Sequence, residues 1–165
     1  MAYPIRKRTR LQEYDYSTPG YYFITFCTKN KQKLLCHITE TNPLDTPSIQ
    51  LTGFGKVAQK QLQNMEHFYD HVKLEKYVIM PNHIHLLIRI SGCENGLSGK
   101  PVPTNSKIAQ FVGTFKRFCN REYGTNIWQA RSHDHVIRNE HDYLKIWAYI
   151  DNNPAKWAED CFYVV

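Results

Sequence analysis

The run Tyr21-Tyr22-Phe23-Ile24-Thr25-Phe26-Cys27-Thr28 is dense in aromatic and β-branched residues and follows a Ser17-Thr18-Pro19-Gly20 turn, so it predicts a first strand. Lys29 to Lys33 is a polar turn, and Leu34 to Ile38 returns as a short second strand. From Glu40 to Leu51 the chain is polar, carries Pro43 and Pro47, and reads as a loop. Phe54, Val57, Ala58, Gln61, Leu62, Met65 and Phe68 then recur at the spacing of an amphipathic helix over roughly 53–69, with Lys56, Lys60 and Gln63 facing outward. Lys73 to Met80 and His83 to Ile90 are two further strands separated by Pro81-Asn82. A proline sits at a strand edge, start or bulge, and a bulge here would present the histidines at a kink.

Ser91 to Asn105, with three glycines and two prolines, reads as a long loop. Ile108, Phe111, Val112, Phe115 and Phe118 form the apolar stripe of a second helix, and Lys107, Gln110, Thr114, Arg117 and Arg121 give it a partly basic face. Asn126 to Arg138 is less regular, and Asp134 between two histidines argues against a half-buried strand there. A last helix starts near Asn139 and runs through Trp147 and Tyr149 until Pro154 stops it. The order strand, strand, helix, strand, strand, helix, helix predicts an α/β (α+β) fold, in which helices lie mainly on one face of a small antiparallel sheet.

At 165 residues the chain fits one domain spanning 1–165, with a basic N-terminal arm over 1–16. Lys and Arg number 21 against 15 for Asp and Glu, and a net charge of +6 favours a polyanionic partner. Eleven tyrosines and three tryptophans offer flat faces for unpaired bases as well as for a core. Cys27, Cys36, Cys93, Cys119 and Cys161 are widely spaced with no CxxC pair, which predicts reduced thiols rather than a disulfide framework or zinc knuckle. With no apolar leader at the N-terminus and no membrane-length apolar run, a cytoplasmic, nucleoid-associated protein is expected.

Residues two apart on a strand share a face, so His83 and His85 aim together while Ile84 enters the core. Two imidazoles on a stiff backbone make half of a divalent-metal site. His133 and His135, with His141 following, are a rival set that a zinc-dependent hydrolase would use. Tyr149 and Asn153, four apart, project from one helical face. If that face lies over His83 and His85, Asn153 completes the metal shell and the Tyr149 hydroxyl meets a metal-held phosphate. Tyr143 is a competing nucleophile six residues earlier, on a different helical face from Asn153.

Four blocks of this sequence resemble the single-tyrosine HUH transposases of the insertion-sequence-200 type, and within them the REP-associated tyrosine transposases. They are Thr9-Arg10-Leu11 with Tyr14-Asp15-Tyr16-Ser17, Pro19-Gly20 and Tyr22-Phe23-Ile24-Thr25; Met80-Pro81-Asn82-His83-Ile84-His85; Trp128-Gln129 with Asp134-His135-Val136-Ile137-Arg138; and Tyr149-Ile150 with Asn152-Asn153-Pro154. The resemblance implies a ferredoxin-like or RRM-like domain with a central antiparallel sheet. It implies a metal-dependent endonuclease and strand transferase acting on single-stranded, hairpin-forming DNA such as repetitive palindromic elements. In that reading His83 and His85 bind Mg2+ or Mn2+, and Tyr149 forms a 5′-phosphotyrosine link without any nucleotide cofactor. Asn153 stands where related transposases often place a glutamine ligand. Arg6, Lys7, Arg8, Arg10, Lys116, Arg117 and Arg138 are the expected DNA contacts. Monomer and homodimer both fit, and a non-catalytic hairpin-binding module is the alternative function.

Overall fold

The computed structural model describes residues 14–39, 47–92 and 106–164, so the arm residues Arg6, Lys7, Arg8 and Arg10 lie outside the described residues. The first aromatic run forms β1 (Gly20–Cys27), and the two later apolar runs form β4 (Val72–Ile79) and β5 (His83–Ile90). With β6 (His133–Ile137) they make one antiparallel sheet in the order β4-β5-β1-β6. Helix α1 (Gly53–Phe68) joins β1 to β4, and α2 (Lys107–Tyr123) joins β5 to β6. This β-α-β-β-α-β order, with both inner strands flanked by outer ones, is the ferredoxin-like arrangement that was expected.

Strand alternation sorts the side chains onto two faces. Tyr22, Ile24 and Phe26 of β1 and Ile84, Leu86, Ile88 and Ile90 of β5 face α1 and α2, where Ala58, Leu62, Met65, Ile108, Phe111 and Phe115 close the main core. The opposite face presents Phe23, Val78 and Leu87 to α3 (Glu140–Asn152), which lays Tyr143, Ile146, Trp147 and Ile150 across it. Those four follow the spacing of a single helical face. Lys76 of β4 fixes the dock, with its ammonium 4.0 Å from the Trp147 ring centroid and 2.7 Å from Asp151 Oδ1. Two helices therefore share one face, and the third stands alone on the face that carries the histidines.

Three local expectations change. Pro81-Asn82 is not a bulge but a two-residue hairpin turn closed by Met80 N donating to His83 O at 2.9 Å, where a missing N–H disturbs no ladder. The bulge lies instead in β4 between Leu74 and Lys76. Ser48–Leu51 is a strand, β3, pairing with β2 (Cys36–Thr39) in a separate ribbon. Its first three residues are exposed, so it shows no apolar alternation to read. His133–Ile137 is also a strand, because at the sheet edge it pairs only with β1, and exposed positions such as His133 and His135 need no apolar partner.

Gly55 allows α1 to start where it does. A Cβ there would land on the Leu35 carbonyl oxygen, so Gly55→Ala must push the helix off the chain beneath it. We expect it to cost about 1–3 kcal/mol in urea unfolding, the range for overpacking, against the stabilisation that Gly→Ala gives in an open helix. The chain is anchored from Tyr14 onward: Tyr16 is buried against Tyr22, so the last residues of the basic arm belong to the core. Among the described residues no helix is long and apolar enough to cross a membrane.

Candidate metal centre and tyrosine site

The hairpin turn positions both imidazoles. Asn82, fully buried, donates its Nδ2 to Lys31 O at 3.2 Å and to Phe162 O at 2.8 Å. Its Oδ1 is thereby turned to His83 Nδ1 at 2.8 Å, and an amide oxygen only accepts, so the proton sits on Nδ1 and Nε2 keeps its lone pair. Thr25, directly across the ladder from His85, pairs with His85 Nδ1 at 2.7 Å. The two Nε2 atoms consequently converge, 3.0 Å apart. Both rings are buried, at 0% and 1% exposure, and are enclosed by Phe162 and Phe23.

A third group arrives from beyond α3. The short helical turn Trp157–Glu159 delivers Asp160, whose Oδ2 lies 3.8 Å from His83 Nε2. Its side chain is 1% exposed and is held by Phe162 N donating to Oδ1 at 2.6 Å and Asn153 Nδ2 donating to Oδ2 at 2.8 Å. The ligand atoms of His83, His85 and Asp160 lie within 4.8 Å of one another, the one such triad of His, Cys, Asp or Glu among the described residues. Two converging imidazole nitrogens and a carboxylate in a buried pocket form a donor set that fits a divalent cation. Asn153 Oδ1 adds to that fit, being buried with no hydrogen-bond partner.

Tyr149 projects from α3 into the same cluster while remaining 39% exposed. Its hydroxyl is 3.4 Å from His85 Nε2 and 3.5 Å from Asp160 Oδ2. Burial first and the Asp160 charge second push the phenol up to about 12, so it is protonated at neutral pH. Asn153, one turn on, is 3% exposed and helical (φ −58°, ψ −42°) in spite of the following proline.

Burial pushes both histidines down to about 3, helped by Lys31 at His83 and by His83 at His85. A lowered folded pKa means that the unfolded chain binds the protons more tightly. The histidine contribution to stability is therefore fully present above about pH 6.5 and is lost as pH falls toward 3. In EDTA, urea unfolding at about pH 5 should show roughly 2 kcal/mol less stability per histidine than at about pH 7.

The structure brings His83, His85 and Tyr149 together and places Asn153 against Asp160. Tyr143 lies elsewhere, against Tyr21 in a cavity of about 400 Å3 that Arg138 also lines. His135 pairs with Asp142 at 2.9 Å, and His133 and His141 form no triad with it. Arg117 and Arg138 are exposed. Lys116, expected at a DNA-facing surface, is turned inward: 9% exposed, it donates to Gln129 O at 2.7 Å, and burial pushes it down to about 8. Its place between Val112 and Cys119 on the buried stripe is the signal that marks it. Asp160 went unread because it follows Pro154 in a segment with no helical register to Tyr149.

The fold is that of a REP-associated tyrosine transposase. The solved structure of one, bound to a REP hairpin, superposes with a TM-score of 0.59 at 20% identity, covering 90% of this chain and 73% of that one. The chain itself belongs to one family with an uncharacterized protein of Haemophilus influenzae, 33% identical over an alignment that covers 96% of this chain and 93% of that protein. No family model matches the sequence.

Proposed function

We propose that this protein is a metal-dependent nuclease and strand transferase of the transposase type, cutting single-stranded hairpin DNA through a covalent bond to Tyr149. One observation supports this reading above the others: the Tyr149 hydroxyl lies within 3.5 Å of both His85 Nε2 and Asp160 Oδ2, in a cluster suited to a divalent cation. The solved transposase of the same fold holds a REP hairpin, and the excess of basic residues here suits such a partner. His83, His85, Tyr149 and Asp160 come together within one chain, which supports a monomer as the acting unit, with a homodimer as the alternative.

His83, His85 and Asp160 would hold Mg2+ or Mn2+, and a bound divalent cation polarises a phosphate and favours a phenolate. Tyr149 Oη bonds to phosphorus as the bond from phosphorus to the 3′-oxygen breaks, leaving a 5′-phosphotyrosine and a 3′-hydroxyl. The phenol proton passes to solvent on the exposed side of Tyr149, and the departing oxygen takes one from solvent. Phe23, edge-on to Tyr149 at 5.9 Å, and the packed Ile150 hold the phenol in place. Attack by another 3′-hydroxyl reverses the step and joins strands, so no nucleotide cofactor is needed. Arg6, Lys7, Arg8, Arg10, Arg117 and Arg138 are the proposed DNA contacts, with Lys116 acting through the backbone that it holds.

The test is a denaturing gel of protein with labelled single-stranded hairpin DNA and manganese. A labelled band at the protein's size, absent in EDTA, is expected. Hairpin binding with no such band in manganese would leave the non-catalytic binding module as the function.

A further inference from the structure

Lys145, Tyr149, Asn152 and Lys156 stand four, three and four residues apart and so lie along one face of α3 and its continuation. The helical path persists to Lys156, whose N–H donates to Asn152 O at 3.1 Å. This stripe forms one wall of a groove of about 320 Å3, with Glu159 and Asp160 on the other side. The groove is the exposed approach to Tyr149, since the histidines below are fully covered.

Both lysines are exposed, and neither ammonium is held by an ion pair among the described residues. The neighbouring Lys76 is different: its charge is spent on Asp151 and the Trp147 ring. Asp160 is occupied by Asn153 and Phe162 N, which leaves Glu159 as the remaining carboxylate on the groove. At about 1.5 Å of rise per residue, Lys145 lies about 6 Å from Tyr149 along the axis on one side, and Lys156 lies on the other side, one turn beyond Asn152 at the end of α3. The nucleophile thus sits between two uncommitted cations on the open face.

We propose that Lys145 and Lys156 bind the phosphates on either side of the one that Tyr149 attacks, so that the groove sets the path of the single strand. The inference rests on the proposed nuclease reading and deepens it. The lysines are positioning residues: they place the neighbouring phosphates and exchange nothing with the reacting atoms. Because the two stand on opposite sides of Tyr149, each serves a different phosphate.

The test uses the full chain and a fluorescent single-stranded hairpin oligonucleotide, with binding followed by anisotropy over a salt series. Lys145→Ala and Lys156→Ala should each weaken binding by roughly 3- to 10-fold near 0.1 M salt and reduce the salt slope by about 0.7. Lys145→Arg and Lys156→Arg should restore both, and unchanged thermal melting excludes misfolding as the cause. Once the phosphate linked to Tyr149 is mapped, a neutral methylphosphonate on one of its sides should cancel the effect of one lysine, and on the other side that of the other. Unchanged salt slopes, or both lysines responding to the same methylphosphonate, would overturn the proposal. A covalent band with unchanged slopes sinks this inference alone. Reduced slopes with no covalent band keep the phosphate sites and sink the cleavage reading.

Discussion

Tyr149→Phe is expected to eliminate the covalent protein–DNA band while hairpin binding stays within about twofold. Loss of an enzyme's nucleophile costs at least roughly a thousandfold in rate, which on a gel is loss of the band. The substitution removes one oxygen and keeps the ring, so its contacts with Phe23 at 5.9 Å and His85 at 5.2 Å survive. Stability is accordingly expected to change little. Tyr143→Phe is the control, because that hydroxyl faces the cavity shared with Tyr21 and Arg138 and not the histidines. A band persisting in Tyr149→Phe and vanishing in Tyr143→Phe would move the nucleophile to Tyr143.

The second large effect belongs to Asp160. Asp160→Asn keeps the shape and removes the one carboxylate within the triad, and Mn2+ affinity measured by calorimetry should fall by more than about 100-fold, beyond the 10- to 100-fold typical of groups that only orient a ligand. Asn153→Ala sorts the two roles of Asn153. If it only holds Asp160 through the 2.8 Å bond from Nδ2, its loss falls inside that 10- to 100-fold range. If its unpartnered Oδ1 coordinates, the loss matches that of Asp160→Asn. Equal, near-unchanged affinities in both variants would remove Asp160 from the site altogether.

Much of this architecture could be read from periodicity. The stripes of α1 and α2, the alternation of β5 and the placement of Ile84 opposite the histidines all follow from apolar spacing, because these elements bury one face against a core. The strand at His133–Ile137 escaped because a sheet edge needs few apolar residues, and its exposed histidines suggested a rival metal set instead. Lys116 escaped because its charge outweighed its position, although a long aliphatic stem and two backbone carbonyl acceptors make burial tolerable. Asp160 had no local signature at all. Its role comes from a turn beyond Pro154 that folds back onto the hairpin, and such long-range closure leaves no spacing to count.

The bond from Asn82 to Phe162 O spans 80 positions of the chain. The hairpin with its two imidazoles is built from neighbours in sequence and closes quickly, whereas bringing Phe162 across closes a loop of 80 positions. During synthesis the carboxylate side of the proposed centre is therefore absent until Asp160 has been added, some 80 positions after the hairpin turn. A polypeptide that stops between the hairpin and α3 carries the imidazoles without Tyr149 or Asp160, so the proposed cutting chemistry is withheld from it.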